Sequence, residues 1–288
     1  MNRYTSTRKA SIISIISNIF LLLIKSAIGF ASGSQAMIAD AANSATDIFA
    51  SIMTFIGNKI ASEPADENHN FGHGKAEYVF SMFISIAMIL GALALLLHSV
   101  TAFINNSKLE FSWFLVITCI VTIIIKFLLY SYTNKLYKKY NNILIKVSMI
   151  DHRNDCIITI FTLISVLLSL KNIYWFDIIV GIGISTWICF IGIKLLIESY
   201  NTLIDTSIDK KTKNTILELI NTYEDIEKIS DFYSTPSGFK YIIVITIYVD
   251  GNMSTFDSHK LADNLENKIK KLNSVQKAIV HVNPSEYK

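Results

Sequence analysis

The sequence predicts an α-helical membrane protein: six transmembrane helices in residues 1–200, then a small α+β domain in residues 201–288. Three observations carry this. Hydrophobic residues make up 51% of the chain, and they fall in long blocks rather than with the amphipathic period of a soluble domain. Lysine and arginine gather at alternate ends of those blocks. Beyond about residue 200 the texture changes to short amphipathic and β-branched segments.

Spanning the hydrocarbon takes ~20 mostly apolar residues in a helix. Residues 10–31, 35–60, 75–102, 111–132, 145–170 and 173–199 meet that test. The first block is too long for a signal-peptide core and no small-residue cleavage pattern follows it, so it is expected to remain as a span. Arg3, Arg8 and Lys9 precede it, Lys59 and Lys75 flank the loop after the second span, and Lys135, Lys138, Lys139 and Lys146 fill the loop after the fourth. The opposite loops hold only Lys108 and Lys171. That bias places both termini in the cytoplasm, in a multi-pass protein of the cell membrane.

The tail begins with an amphipathic helix over 210–223 that sets Ile216, Leu219 and Ile220 on one face. A short strand over 228–233 follows, and Pro236-Ser237-Gly238 marks a turn. Residues 241–249 are β-branched and aromatic almost throughout, which predicts a buried strand. Ser254 with Asp257 three residues on is a capping-box pattern opening a helix to about residue 272, and 275–282 is the last strand. The order α-β-β-α-β predicts a two-layer domain.

A net charge of +3 with dispersed basic residues excludes a nucleic-acid partner. Cys119, Cys156 and Cys189 lie inside apolar blocks without a CxxC pair, which argues against a disulfide framework or a thiolate metal site.

Ionisable side chains inside a membrane are costly, so each is a functional candidate. The second span carries Asp40 and Asp47, with Asn43 four residues before Asp47; the fifth carries Asp151, His152, Arg153 and Asp155. Asn43 with Asp47, and Asp151 with Asp155, are i,i+4 pairs, each stacked on one helix face and well inside its span. Together they offer one cation four oxygen ligands. A single buried polar residue is more often a helix–helix hydrogen bond, but two such pairs at matching depth are hard to explain that way. Left without a cation, these carboxylates must be protonated or bonded to Arg153, which points to roughly the opposite face. His98, Lys25, Lys126 and Lys194 read as structural or interfacial. The lysines can snorkel, and nothing in the sequence pairs them with the acidic site.

Asp66, His69 and His73 lie in the loop after the second span. If the loop is locally helical they share a face and form a three-ligand site; otherwise the histidines simply bond to the backbone. His259 and His281 are the only histidines of the tail and weak ligand candidates.

The whole length resembles the cation diffusion facilitators, a family of metal/proton antiporters: six spans, both i,i+4 pairs, the string from Pro64 to Glu77 (PADENHNFGHGKAE) and the α+β tail. The resemblance implies a secondary active transporter rather than an enzyme, working as a homodimer in the lipid bilayer with protons as counter-ion. It implies a ferredoxin-like cytosolic domain, an accessory or entry role for Asp66, His69 and His73, and a salt bridge of Lys75 and Asp205 near the membrane surface that holds the dimer. No prosthetic group is implied; the metal is cargo. Zinc members place histidine where this chain has Asp151, and often where it has Asn43. Carboxylate and amide oxygens suit harder ions, so manganese(II) is the expected substrate, ahead of iron(II) and zinc(II). Zinc members often carry further histidines near Ser230 and Thr246, and aspartate at Asn283, so a binuclear zinc site in the tail is not expected. A membrane-anchored metal sensor, the rival from another class, has no need of carboxylates at mid-membrane.

Overall fold

A computed structural model describes residues 3–32, 35–105, 111–171, 173 and 175–285. Within those stretches the side chains of 29–32, 35–40, 42, 43, 102, 175, 177 and 178 are not described. The side chains of Asp40 and Asn43, and all of Lys108, therefore lie outside the described residues.

Six long helices come first: α1 (Arg3–Ser32), α2 (Gln35–Ala61), α3 (Ala76–Ile104), α4 (Trp113–Tyr140), α5 (Ile143–Ser169) and α6 (Trp175–Leu203). Four of them (α1, α3, α4 and α6) are long and apolar enough to cross a membrane by length and composition. The other two, α2 and α5, carry the acidic pairs. The bundle is apolar outside and polar within. Ile16, Phe20, Leu23, Leu90, Phe127 and Phe190 are exposed, whereas Ser14, Asn18, Ser44, Ser51, Thr54, Thr118 and Thr122 are buried. Lipid tails accept the former, and helix–helix hydrogen bonds satisfy most of the latter. α1 packs along α2, α4 along α5, and α3 against both α2 and α5. A buried apolar cluster of Ile84 and Met88 (α3), Leu144, Val147 and Ile150 (α5) and Ile188 and Leu195 (α6) joins three helices.

Two helices outrun their apolar blocks. α1 starts at Arg3, whose guanidinium is buried and donates to Glu77 Oε2 at 2.6 Å. Asn142 Nδ2 donates to Glu77 Oε1 at 3.0 Å, while Asn142 Oδ1 accepts the Ile145 N–H and caps α5. The segment 133–140, expected as loop, continues α4 because its lysines are exposed helix formers and it contains neither Gly nor Pro. Asn141 ends the helix with a left-handed backbone, φ 46°.

The contacts divide the chain into two units. The first is 1–62 with 76–200; the second is 63–75 with 201–288. The loop 63–75, expected with the spans, thus belongs with the C-terminal unit. That unit contains α7 (Lys210–Ile220), β1 (Lys228–Ser237), β2 (Lys240–Val249), α8 (Thr255–Lys270) and β3 (Val275–Pro284). The sheet order is β1-β2-β3, antiparallel then parallel, with α8 as the crossover. Burial along β2 alternates: Ile243, Ile245, Ile247 and Val249 pack against Ile216 and Ile220 of α7 and Leu261, Leu265 and Ile269 of α8. Ser254 caps α8 by accepting the Asp257 N–H, as its spacing predicts.

The turn lies later than expected. β1 runs through Pro236, an edge-strand position that needs no ladder N–H from it, and reverses at Gly238, φ +66°. Gly238 also meets Gly74 of the loop: a Cβ on Gly74 would come within 2.8 Å of Gly238 Cα. Two glycines let the two backbones touch there.

Candidate metal centre

Asp47 on α2 and Asp155 on α5 reach the interior between α2, α4 and α5, and both are buried. The ammonium of Lys126, on α4, donates to Asp47 Oδ2 and to Asp155 Oδ2, each at 2.6 Å. The two carboxylate oxygens are therefore held on one nitrogen, whose side chain is only 1% exposed. This corrects the expectation that Lys126 is a snorkelling or interfacial residue: a side chain this deep in a bundle finds carboxylates nearer than water. The sequence signal was present, since an ionisable residue inside a span is a functional candidate by default. Its partners are 79 and 29 residues away.

Asp151 stands one turn before Asp155 on the same helix. Ligand atoms of Asp151, His152 and Asp155 all lie within 4.8 Å of one another. Of the His152 ring nitrogens, Nε2 sits 3.1 Å from Ser14 Oγ of α1, whereas Nδ1 is buried with no hydrogen-bond partner among the described residues. Arg153 points away from the acids, as helix geometry predicts: its guanidinium lies over the Trp187 ring, 5.3 Å from the centroid. Lys25 donates to Ser44 Oγ at 3.1 Å and lines the same small cavity as Asp47, Lys126 and Asp155. Lys25 is thus also turned inward rather than snorkelling. Asn43 is helical in α2, one turn before Asp47.

Asp66, His69 and His73 come together without a helix. Pro64 and Gly72, the latter at φ +81°, bend the loop too sharply for one. Asp66 Oδ1 accepts the backbone N–H groups of Asn68 at 3.0 Å and His69 at 2.6 Å, an Asx-type turn. His69 Nδ1 lies 3.2 Å from Asp66 Oδ1 and His73 Nε2 3.5 Å from Oδ2, with one ligand atom of each residue inside a 4.8 Å group. The His69 backbone N–H, helped by its imidazole, holds the Asp66 carboxyl below its usual value. An ionised carboxylate and two imidazoles make a three-ligand set open to solvent.

Lys75 donates to Asp205 Oδ1 at 2.8 Å, and Thr235 Oγ1 donates to the same oxygen at 2.6 Å. The ion pair therefore forms within one chain. The lysine and threonine donors hold the Asp205 carboxyl below its ordinary value. Its contribution to stability is then present above the unfolded-state pKa and lost as pH falls through the lowered folded one. The pair is about half exposed, so Lys75→Ala should cost no more than ~1 kcal/mol in thermal unfolding. A larger loss would mean the pair anchors more than itself.

In the tail, His259 makes an exposed i,i+4 contact with Asp263 at 3.5 Å, and His281 lies on β3 opposite Thr246. Among the described residues, neither joins a group of three metal-ligating side chains.

Residues 11–204 match the family described as the cation efflux transmembrane domain, and 208–285 match the cation efflux protein, cytoplasmic domain. An uncharacterized transporter of Methanocaldococcus jannaschii is 29% identical over 95% of this chain and 97% of its own length. Two Bacillus subtilis proteins, the manganese efflux system proteins MneP and MneS, are each 25% identical. They cover 96% and 100% of this chain, and the same shares of their own lengths.

Proposed function

Because this chain belongs to the cation efflux family, the cation diffusion facilitators, we propose that it exports manganese(II) from the cytoplasm in exchange for protons. The observation that carries the reading is that Asp47 and Asp155 share one buried position between long helices, with a ligand atom of Asp151 within 4.8 Å of one on Asp155. Asn43 adds an amide oxygen from the position one turn before Asp47. Hard oxygen donors of the kind Asp47, Asp151 and Asp155 supply suit manganese. The similarity to two manganese efflux system proteins supports the same metal.

Crowded carboxylates bind either protons or a dication, so the two compete, and that competition couples their movements in opposite directions. Access alternates as the site-bearing helices rock against the rest of the bundle. Two copies associate through the cytoplasmic domain, both termini face the cytoplasm, and Asp66, His69 and His73 collect the ion before entry.

The test is flux in proteoliposomes with manganese, iron(II) and zinc offered in turn. An acidic lumen should drive manganese uptake, and collapsing the pH gradient should reduce it severalfold. Uptake that ignores the gradient would remove proton exchange from the reading. Zinc flux faster than manganese flux under every gradient would remove the choice of metal.

A further inference from the structure

The position between Asp47 and Asp155 already holds a cation belonging to the protein. Lys126 Nζ is hydrogen-bonded to both carboxylates at 2.6 Å, and the cavity around it measures about 10 Å³. That is room for about one water molecule, not for a metal ion beside the ammonium. A hard dication bound to the same oxygens needs contacts of about 2.0–2.6 Å, and it would repel an ammonium held among them. One of the two must leave.

The helix provides a place for the lysine to go. Thr122 lies one turn before Lys126 on α4 and lines the same cavity. Its Oγ1 is buried and has no hydrogen-bond partner among the described residues. Helical side chains lean toward the N-terminus of their own helix, which is the Thr122 side. The hydroxyl is an acceptor within reach of a lysine that has let go of the aspartates.

We propose that the Lys126 ammonium is a tethered competitor for the transport site. A divalent ion reaches Asp47 and Asp155 together only by displacing it, and the displaced ammonium moves to Thr122. The inference rests on the transport reading above. Its consequence is selection by valence. A tethered rival is present at high effective concentration. A monovalent ion brings no more charge than the ammonium and gains nothing by evicting it, whereas a dication gains a second charge's attraction to three carboxylates. The lysine remains close after displacement and offsets the charge that three carboxylates and a dication leave over.

The test is manganese binding to the purified full chain in detergent, with free ion read from its paramagnetic resonance signal. Lys126→Met should bind more tightly by about tenfold or more, a usual size for coupling between competing ligands. Lys126→Arg, whose forked head grips two carboxylates more firmly, should bind more weakly than wild type. Thr122→Val should weaken binding in the wild-type background and change nothing when added to Lys126→Met. A merely structural lysine would not move affinity in opposite directions in the two replacements. Equal or weaker binding by a folded Lys126→Met protein overturns the proposal. If that variant does not fold, equal or tighter binding by Lys126→Arg does so. A Thr122→Val effect that persists in Lys126→Met would make Thr122 a ligand and remove it as the lysine's resting place. Absence of manganese binding in wild type and Lys126→Met alike would sink the transport reading itself. Binding by the Met variant alone would support both.

Discussion

Asp155→Ala is expected to reduce metal flux to background, and Asp47→Ala to do the same. Each removes an oxygen ligand that no neighbour replaces, since Asp151 and Asp155 both come from α5 and Asp47 alone comes from α2 among the described acids. Each change also leaves Lys126 with one carboxylate partner instead of two. Breaking a buried pair costs about 3–5 kcal/mol when the remaining charge is stranded. Here the second aspartate still holds the ammonium, so the low end of that range is expected. Membrane insertion should survive and thermal unfolding should come earlier. Adding Lys126→Ala to Asp155→Ala gives a further check. It takes the ammonium from the buried Asp47 carboxylate, so stability should fall further while flux stays at background. Wild-type flux from either single variant in sealed vesicles would show that the cation passes elsewhere.

Replacing Asn43 and Asp151 together with His should turn the site toward zinc. Manganese stands at the weak end of the usual affinity order, so a site prefers it by withholding nitrogen ligands and keeping hard oxygens. The double variant supplies two imidazoles and keeps Asp47 and Asp155. It also removes one carboxylate charge, so Lys126 and a dication now face two carboxylates, and the loaded site carries excess positive charge unless the lysine withdraws further. The zinc-to-manganese flux ratio should rise on the order of tenfold, the equivalent of about 1.4 kcal/mol, and its pH dependence should change because imidazoles titrate near neutrality. Initial rates for both ions in one vesicle preparation across a pH series measure it. An unchanged ratio in an active double variant would move selectivity out of these two positions, with the Asp66–His73 loop the next place to look.

Much of the architecture is legible in the order of residues. The spans follow from hydropathy because lipid imposes one length and one polarity on a helix. The i,i+4 pairing of Asp151 with Asp155 follows from 3.6 residues per turn. The capping of α8 by Ser254 and the amphipathic face of α7 are equally local. Local rules failed where a distant group intervened. The strand through Pro236 is longer than its own residues suggest because β2 supplies a full antiparallel partner. Asp66, His69 and His73 meet through a turn that Pro64 and Gly72 shape, where sequence spacing suggested a helical face.

What the sequence alone determined is therefore the class of molecule, the spans, the α-β-β-α-β tail, and which carboxylates stand one turn apart on α5. Each depends on the period, length or polarity of a continuous segment. The tertiary structure decided what those carboxylates face. Lys126 sits at a fixed place along α4, but whether it snorkels to the interface or joins Asp47 and Asp155 depends on how α4 is rotated against α2 and α5. That rotation is set by packing among side chains far apart in the chain, and no periodicity within α4 encodes it.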